Sequence, residues 1–111
     1  MLIAFPEVEE GIAYGCPIFK TKGKMIARLR EDGKTIVVKI DQILRSSLLD
    51  GAPEIYFMED HYVKHPLILI NLTKVKADDL KYLVELAWRM TASKRALANY
   101  DKATQLTNKY D

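Results

Sequence analysis

The chain has 111 residues and a mass of 12.7 kDa, the size of one compact domain, with 49% apolar and 29% charged residues. That balance excludes an intrinsically disordered chain, the lone Cys16 excludes an internal disulfide, and no run approaches the ~18 apolar residues of a membrane-spanning helix. A formal net charge of +2 assigns no partner by itself; residues 1–10 are acidic and lack a base, unlike a secretory or mitochondrial leader, so a cytoplasmic protein is expected.

In chain order, Pro6 directly after Phe5 leaves residues 1–5 as a stub of an ordered element. Gly15 and Pro17 punctuate the entry to a first strand at residues 18–21, and Lys22-Gly23 reads as a hairpin loop. A three-residue loop is expected there, because it turns Phe19 toward Met25 and the core. Residues 24–30 then alternate, with Met25, Ala27 and Leu29 on one face and Lys24, Arg28 and Arg30 on the other. Ile26 breaks the pattern. Asp32-Gly33 predicts a type I′ turn whose register pairs Leu29 with Ile36, Ala27 with Val38 and Met25 with Ile40. The opposite face then pairs Arg30 with Thr35, Arg28 with Val37 and Ile26 with Lys39. A slip of one residue would exchange the faces, so the agreement supports this register.

Asp41 suits the N-cap of a helix over residues 42–50 that buries Ile43, Leu44 and Leu48, stopped by Gly51 and Pro53. Residues 55–58 read as a short strand and 59–65 as a polar loop. Residues 66–72, with Leu67-Ile68-Leu69-Ile70, read as a central strand that is apolar on both faces. Asp78-Asp79 opens the main helix, whose stripe is Leu80, Leu83, Val84, Ala87, Trp88 and Thr91. Thr91 or Ser93 caps a second helix carrying Ala96, Leu97 and Tyr100, and the polar residues 102–111 are expected to fray. The order of three strands, helix, two strands and long helix predicts an α+β two-layer sandwich in a single domain. Its five-stranded antiparallel sheet carries the helices on one face and leaves the other face open.

Charge is distributed unevenly along this frame. Lys20, Lys22, Lys24, Arg28, Arg30, Lys34 and Lys39 stand against Glu31 and Asp32, a local net of +5, whereas residues 41–60 carry five acids and Arg45 alone. Cations clustered on adjacent strands suit the phosphates of a nucleic acid; the plain structural reading is a solvated sheet face guarded against aggregation.

Phe5-Pro6-Glu7-Val8-Glu9-Glu10, Tyr14-Gly15-Cys16-Pro17-Ile18-Phe19-Lys20, Gly23-Lys24-Met25, Val38-Lys39, Asp60-His61-Tyr62 and Ala87-Trp88-Arg89 occur in an order that resembles the MmcQ/YjbR family. The resemblance covers residues 5–101 and implies a fold like that of secretion chaperones, with strand order 1-2-5-4-3. It also implies DNA binding through two β-hairpin wings, with no catalytic residues to carry over. Family members open with a full helix before the Phe-Pro turn, where this sequence has five residues. Glu59 and Ser93 stand where Thr and Pro are usual.

The expected contacts to double-stranded DNA are therefore Lys20, Lys22, Lys24, Arg28, Arg30 and Lys39 on the first wing and His61, Tyr62 and Lys64 on the second. Binding would be weak and salt-dependent, and either a monomer or a homodimer is compatible with the sequence. No metal, cofactor or catalytic constellation is expected. His61 and His65 have metal spacing only on a helix, Asp60-His61 lacks a nucleophile, and Cys16 lacks an activating neighbour. The alternative is a protein-interaction module of the chaperone kind. Ile18, Ile26 and Val37, interrupting the charged face, would be its contact residues.

Overall fold

The computed structural model describes residues 5–13 and 15–109, with side chains as far as Lys102. Residues 1–4 of the expected N-terminal stub lie outside the described residues. The strands are β1 (Glu9–Ala13), β2 (Cys16–Thr21), β3 (Lys24–Leu29), β4 (Thr35–Lys39), β5 (Tyr56–Phe57) and β6 (Leu67–Asn71). The helices are α1 (Gln42–Gly51), α2 (Ala77–Thr91) and α3 (Lys94–Lys109). One antiparallel sheet of six strands runs in the order β1-β2-β3-β4-β6-β5. The expected five strands are all present; the sixth is β1. Its Glu-Glu-Gly-Ile-Ala sequence has no buried face, so no alternation announced it, and pairing with β2 alone makes it a strand.

The strand order implied by the family resemblance does not hold. With β1 set aside, the five expected strands run 1-2-3-5-4, because the tight turn after Leu29 keeps β3 and β4 adjacent. Within that hairpin Ala27 pairs with Val38, Arg28 with Val37 and Leu29 with Ile36, in the register the sequence predicts. The turn itself is of another type. Gly33 is left-handed at φ 67° and its N–H donates to the Arg30 carbonyl, but Asp32 is not left-handed, as a type I′ turn requires. Instead the Asp32 carboxylate accepts from the N–H groups of Lys34 and Thr35 and from the Thr35 hydroxyl, at 2.8–3.0 Å.

The preceding hairpin holds the type I′ turn. Lys22 and Gly23 adopt φ 53° and 74° between the paired Thr21 and Lys24, so the loop has two residues, not three. A bulge does the work expected of the third. Phe19 pairs with Ala27 and Lys20 with Met25, which leaves Ile26 as an extra residue in β3. Ile26 and Ala27 therefore both enter the core, whereas Met25 turns to the other face with Lys20. The expected pairs Met25–Ile40 and Ile26–Lys39 do not form.

The core lies between the sheet and α2. Ala27, Ile36, Val38, Ile40, Ile68 and Ile70 meet Leu83, Val84, Ala87 and Trp88. Trp88 is fully buried, stacks on Phe5 at 5.2 Å and donates from Nε1 to the Pro6 carbonyl at 3.0 Å. This contact fastens the chain entry to α2. Tyr100 of α3 closes the aromatic cluster, and Ser93 caps α3 by accepting from the Ala96 N–H. α3 continues to Lys109, beyond the apolar positions that predict it, and Arg89 pairs with Asp101 along its flank. α1 is capped by Asp41 as expected, yet it buries no residue; Ile43 is exposed, and Leu44, Leu48 and Leu49 touch the core only partly. Among the described residues no helix is long and apolar enough to cross a membrane.

Two outcomes are expected. Trp88→Ala removes the central aromatic side chain and its hydrogen bond, costing about 3–5 kcal/mol in chemical denaturation. Hydrogen bonds hold the Asp32 carboxyl below the usual carboxylate range, with the Lys34 N–H the largest contribution. That stabilisation is complete above about pH 4 and is lost as pH falls through the lowered value. The melting temperature of Asp32→Asn should then fall less steeply with acidification than that of the unaltered protein.

Candidate nucleic-acid interface

One cross-strand row on the sheet's second face runs Gly11, Ile18, Arg28, Val37, Leu69, Phe57. Alternation sends Arg28 and Arg30 to this face, as the sequence predicts. The face is nevertheless not open. Val37 and Leu69 are fully buried although they lie outside the helix-side core, and Ile18 is 9% exposed. Their cover is the segment between β5 and β6, which contains one 3-10 turn at Asp60–Tyr62. It crosses from the β5 edge back to β3, where Arg28 Nη2 donates to the Tyr62 hydroxyl at 2.7 Å and Arg30 Nη1 meets Glu59 Oε2 at 2.9 Å. Arg45 of α1 fixes the return, donating to the carbonyls of Val63, His65 and Leu67.

The two expected wings are thus bound to each other. A polar cleft of ≈ 260 Å³ remains between the β3–β4 turn and the crossing segment, lined by Arg28, Arg30, Glu31, Asp32 and Tyr62. Its acids oppose the entry of a phosphate as much as its guanidiniums invite it. The hydrogen bond from Arg30 to Glu59 holds the guanidinium more firmly protonated than usual, so it remains a cation at every physiological pH. Lys39 does not join this face either. Its Nζ donates to Thr91 Oγ1 at 3.0 Å, so the charge sits at the last residue of α2, where it complements the helix dipole.

The remaining predicted contacts are placed differently. Lys20 is exposed on the second face with Glu9 as its cross-strand neighbour, and Lys22 occupies the β2–β3 turn. Lys24, exposed, pairs with Thr21 on the helix-side face and not with Arg28 and Arg30 as expected, because the bulge reverses the alternation. His61 and Lys64 are exposed on the crossing segment, and His61 meets the Tyr62 ring edge-on at 5.1 Å. Among the described residues none of Lys20, Lys22, Lys24 and Lys64 makes an ion pair or a side-chain hydrogen bond. No three His, Cys, Asp or Glu among the described residues converge as a metal would require. Ile18, Ile26 and Val37, the expected contacts of a polypeptide partner, are buried, Ile26 through the bulge and the other two on the second face.

Sequence reasoning missed Glu59 and Arg45. Glu59 was visible as the departure from the usual Thr before Asp-His-Tyr, and a carboxylate there complements Arg30, which follows β3, three strands from β5. Arg45 was visible as the lone base in an acidic stretch.

The architecture is that of an antiparallel α+β domain with a helix layer on one face and a loop cover on part of the other. The chain belongs to the YjbR family, which it matches over residues 3–90. It is 26% identical over 88 residues to the uncharacterized proteins Rv2570 of Mycobacterium tuberculosis and Mb2600 of Mycobacterium bovis, a match covering 76% of this chain and 68% of each relative. Protein DR2400 of Deinococcus radiodurans, a DUF419 domain, has the same fold, with a TM-score of 0.73 at 18% identity over 88% of this chain and 80% of that one.

Tyr62→Phe should cost about 1 kcal/mol by removing the hydroxyl to which Arg28 donates, and Tyr62→Ala more, by opening the cover over Val37 and Leu69. Faster hydrogen exchange confined to β4 and β6 would register that opening. Glu59→Gln should change global stability by less than about 1 kcal/mol, because the pair it breaks is exposed at the rim.

Proposed function

We propose that this chain binds nucleic acid by its phosphate backbone, with Lys20, Lys22 and Lys24 at the β2–β3 turn as the primary contacts. The observation that carries the reading is the exposure of these three ammonium groups without a side-chain partner, in contrast to Arg28, Arg30 and Lys39. Lys22 and Lys24 flank Gly23 in a two-residue turn, a rigid tip that can approach a duplex without reordering the sheet. Lys64 and His61 on the crossing segment supply a secondary contact, while Tyr62 supports that segment through Arg28. Ammonium groups on flexible stems are point charges, so they position a duplex without reading its bases. In this reading one wing tip carries the charge and the second segment braces it.

Three phosphate contacts imply a salt dependence with a logarithmic slope of roughly −3, and affinity that is appreciable only at low ionic strength. Fluorescence anisotropy with a labelled duplex across a salt series measures both. Replacing Lys20, Lys22 and Lys24 together with Ala should abolish most binding and flatten the slope, whereas Arg30→Ala should leave affinity within about threefold. Absence of binding at low salt, or equal losses from the two variants, would overturn the assignment.

A further inference from the structure

We propose that two copies of this chain associate through β1, pairing antiparallel about Gly11 to join their sheets into one. β1 is a sheet edge of five residues, and the opposite edge, β5, has only two. Edges are usually kept short or otherwise guarded; β5 is protected by its length and β1 is not. β1 and β2 are joined by two residues, so the flanking pair Ala13–Cys16 exchanges hydrogen bonds, as do Gly11–Ile18 and Glu9–Lys20 by alternation. The backbone groups of Glu10 and Ile12 therefore point away from the sheet, toward whatever lies beyond the edge.

A second copy satisfies them in the register centred on Gly11. With Gly11 opposite Gly11 of the second copy, Glu10 and Ile12 of one chain face Ile12 and Glu10 of the other as hydrogen-bonded pairs. Roughly four new main-chain bonds result. The charges agree with this choice. In the Gly11-centred register Glu9 lies opposite Ala13 and Glu10 opposite Ile12, so no two acids meet. Shifting the centre to Glu10 would set Glu10 directly against Glu10, which is unfavourable. The two acids thus disfavour the Glu10-centred register and do not block the edge.

Two further observations fit. Ile12 is 81% exposed, and in the pair it packs beside the aliphatic stem of the neighbouring Glu10. Gly11 has no reason to be glycine within one chain. Its φ is not positive, and a Cβ there would meet only Ile18 Cγ2, at an ordinary 3.6 Å. Glycine inside a strand suits a place where a second backbone approaches closely. The dyad lies perpendicular to the joined sheet, so both second faces, with their Lys20 side chains, turn the same way. The association does not depend on nucleic-acid binding.

Sedimentation equilibrium of the full chain over a wide concentration range tests it. Ile12→Pro removes only the outward N–H, and Ile12→Lys places a charge at the edge while leaving the β1–β2 ladder intact. The unaltered protein should show a mass-average that climbs from 12.7 kDa toward twice that value. Each variant should weaken association about tenfold or more with an unchanged melting temperature. Should Ile12→Pro fail to fold, Ile12→Lys decides the matter. A strictly monomeric protein at millimolar concentration, or a dimer as tight in the folded variants as in the original, overturns the proposal.

Discussion

An unpaired residue in β3 controls which side chains the rest of the molecule can use. Before Ile26 the strand presents one set of residues to the helices, and after it the alternation is reversed. The reversal brings Phe19 and Ile26 into the core together with Ala27, and it puts Lys20 and Met25 on the far face. Without the bulge, the two-residue turn at Lys22-Gly23 would force Met25 inward and Ile26 outward. The turn and the bulge are therefore a matched pair, one setting the hairpin's tightness and the other restoring its apolar face.

That partition leaves a sheet whose second face is neither hydrophobic nor free. Val37 and Leu69 need cover, while Arg28 and Arg30 need hydrogen-bond partners if anything is to lie over them. The segment between β5 and β6 meets both demands with a phenol and a carboxylate. Pairing a guanidinium with a neutral hydroxyl keeps its charge near the surface and avoids the desolvation cost of a buried ion pair. The consequence for function is direct. Cations that stabilise the fold internally are withdrawn from the surface potential, and the exposed lysines that remain include the group around the β2–β3 turn, Lys34 and Lys64.

Local chemistry explains what the sequence disclosed. The β3–β4 register was legible because the pairs Leu29–Ile36 and Ala27–Val38 agree on which face is apolar, and α1 was legible from Asp41, whose carboxylate accepts from the Ile43 and Leu44 N–H groups. The apolar stripe of α2 was legible from its helical periodicity. The turn types were not: Asp-Gly permits both a type I′ turn and the turn found, and the choice fell to the Thr35 hydroxyl that Asp32 also binds. Ile26 stood out as an irregularity, but its meaning required knowing that β2 pairs with one residue fewer. The crossing of residues 59–65 over the second face was illegible, since it depends on Glu59, Tyr62 and Arg45 each finding partners far away in sequence.

The two edges of the sheet show why charge counts along a sequence are a poor guide to surfaces. Glu9 and Glu10 open an acidic stretch that reads as a repellent to anything anionic, and Glu9 does stand beside Lys20 in the ladder. Yet in a strand the positions of the charges matter more than their sum, because neighbours two apart share a face and directly opposed residues interact most strongly. Acids confined to the first two positions of β1 leave its centre and far end neutral. An antiparallel copy sets that neutral half against them, and the arrangement that would repel in a parallel pairing becomes compatible in an antiparallel one. The same reasoning applies to the basic stretch that follows: of its seven cations, Arg28, Arg30 and Lys39 are engaged within the fold, and Lys20, Lys22, Lys24 and Lys34 remain exposed without a side-chain partner.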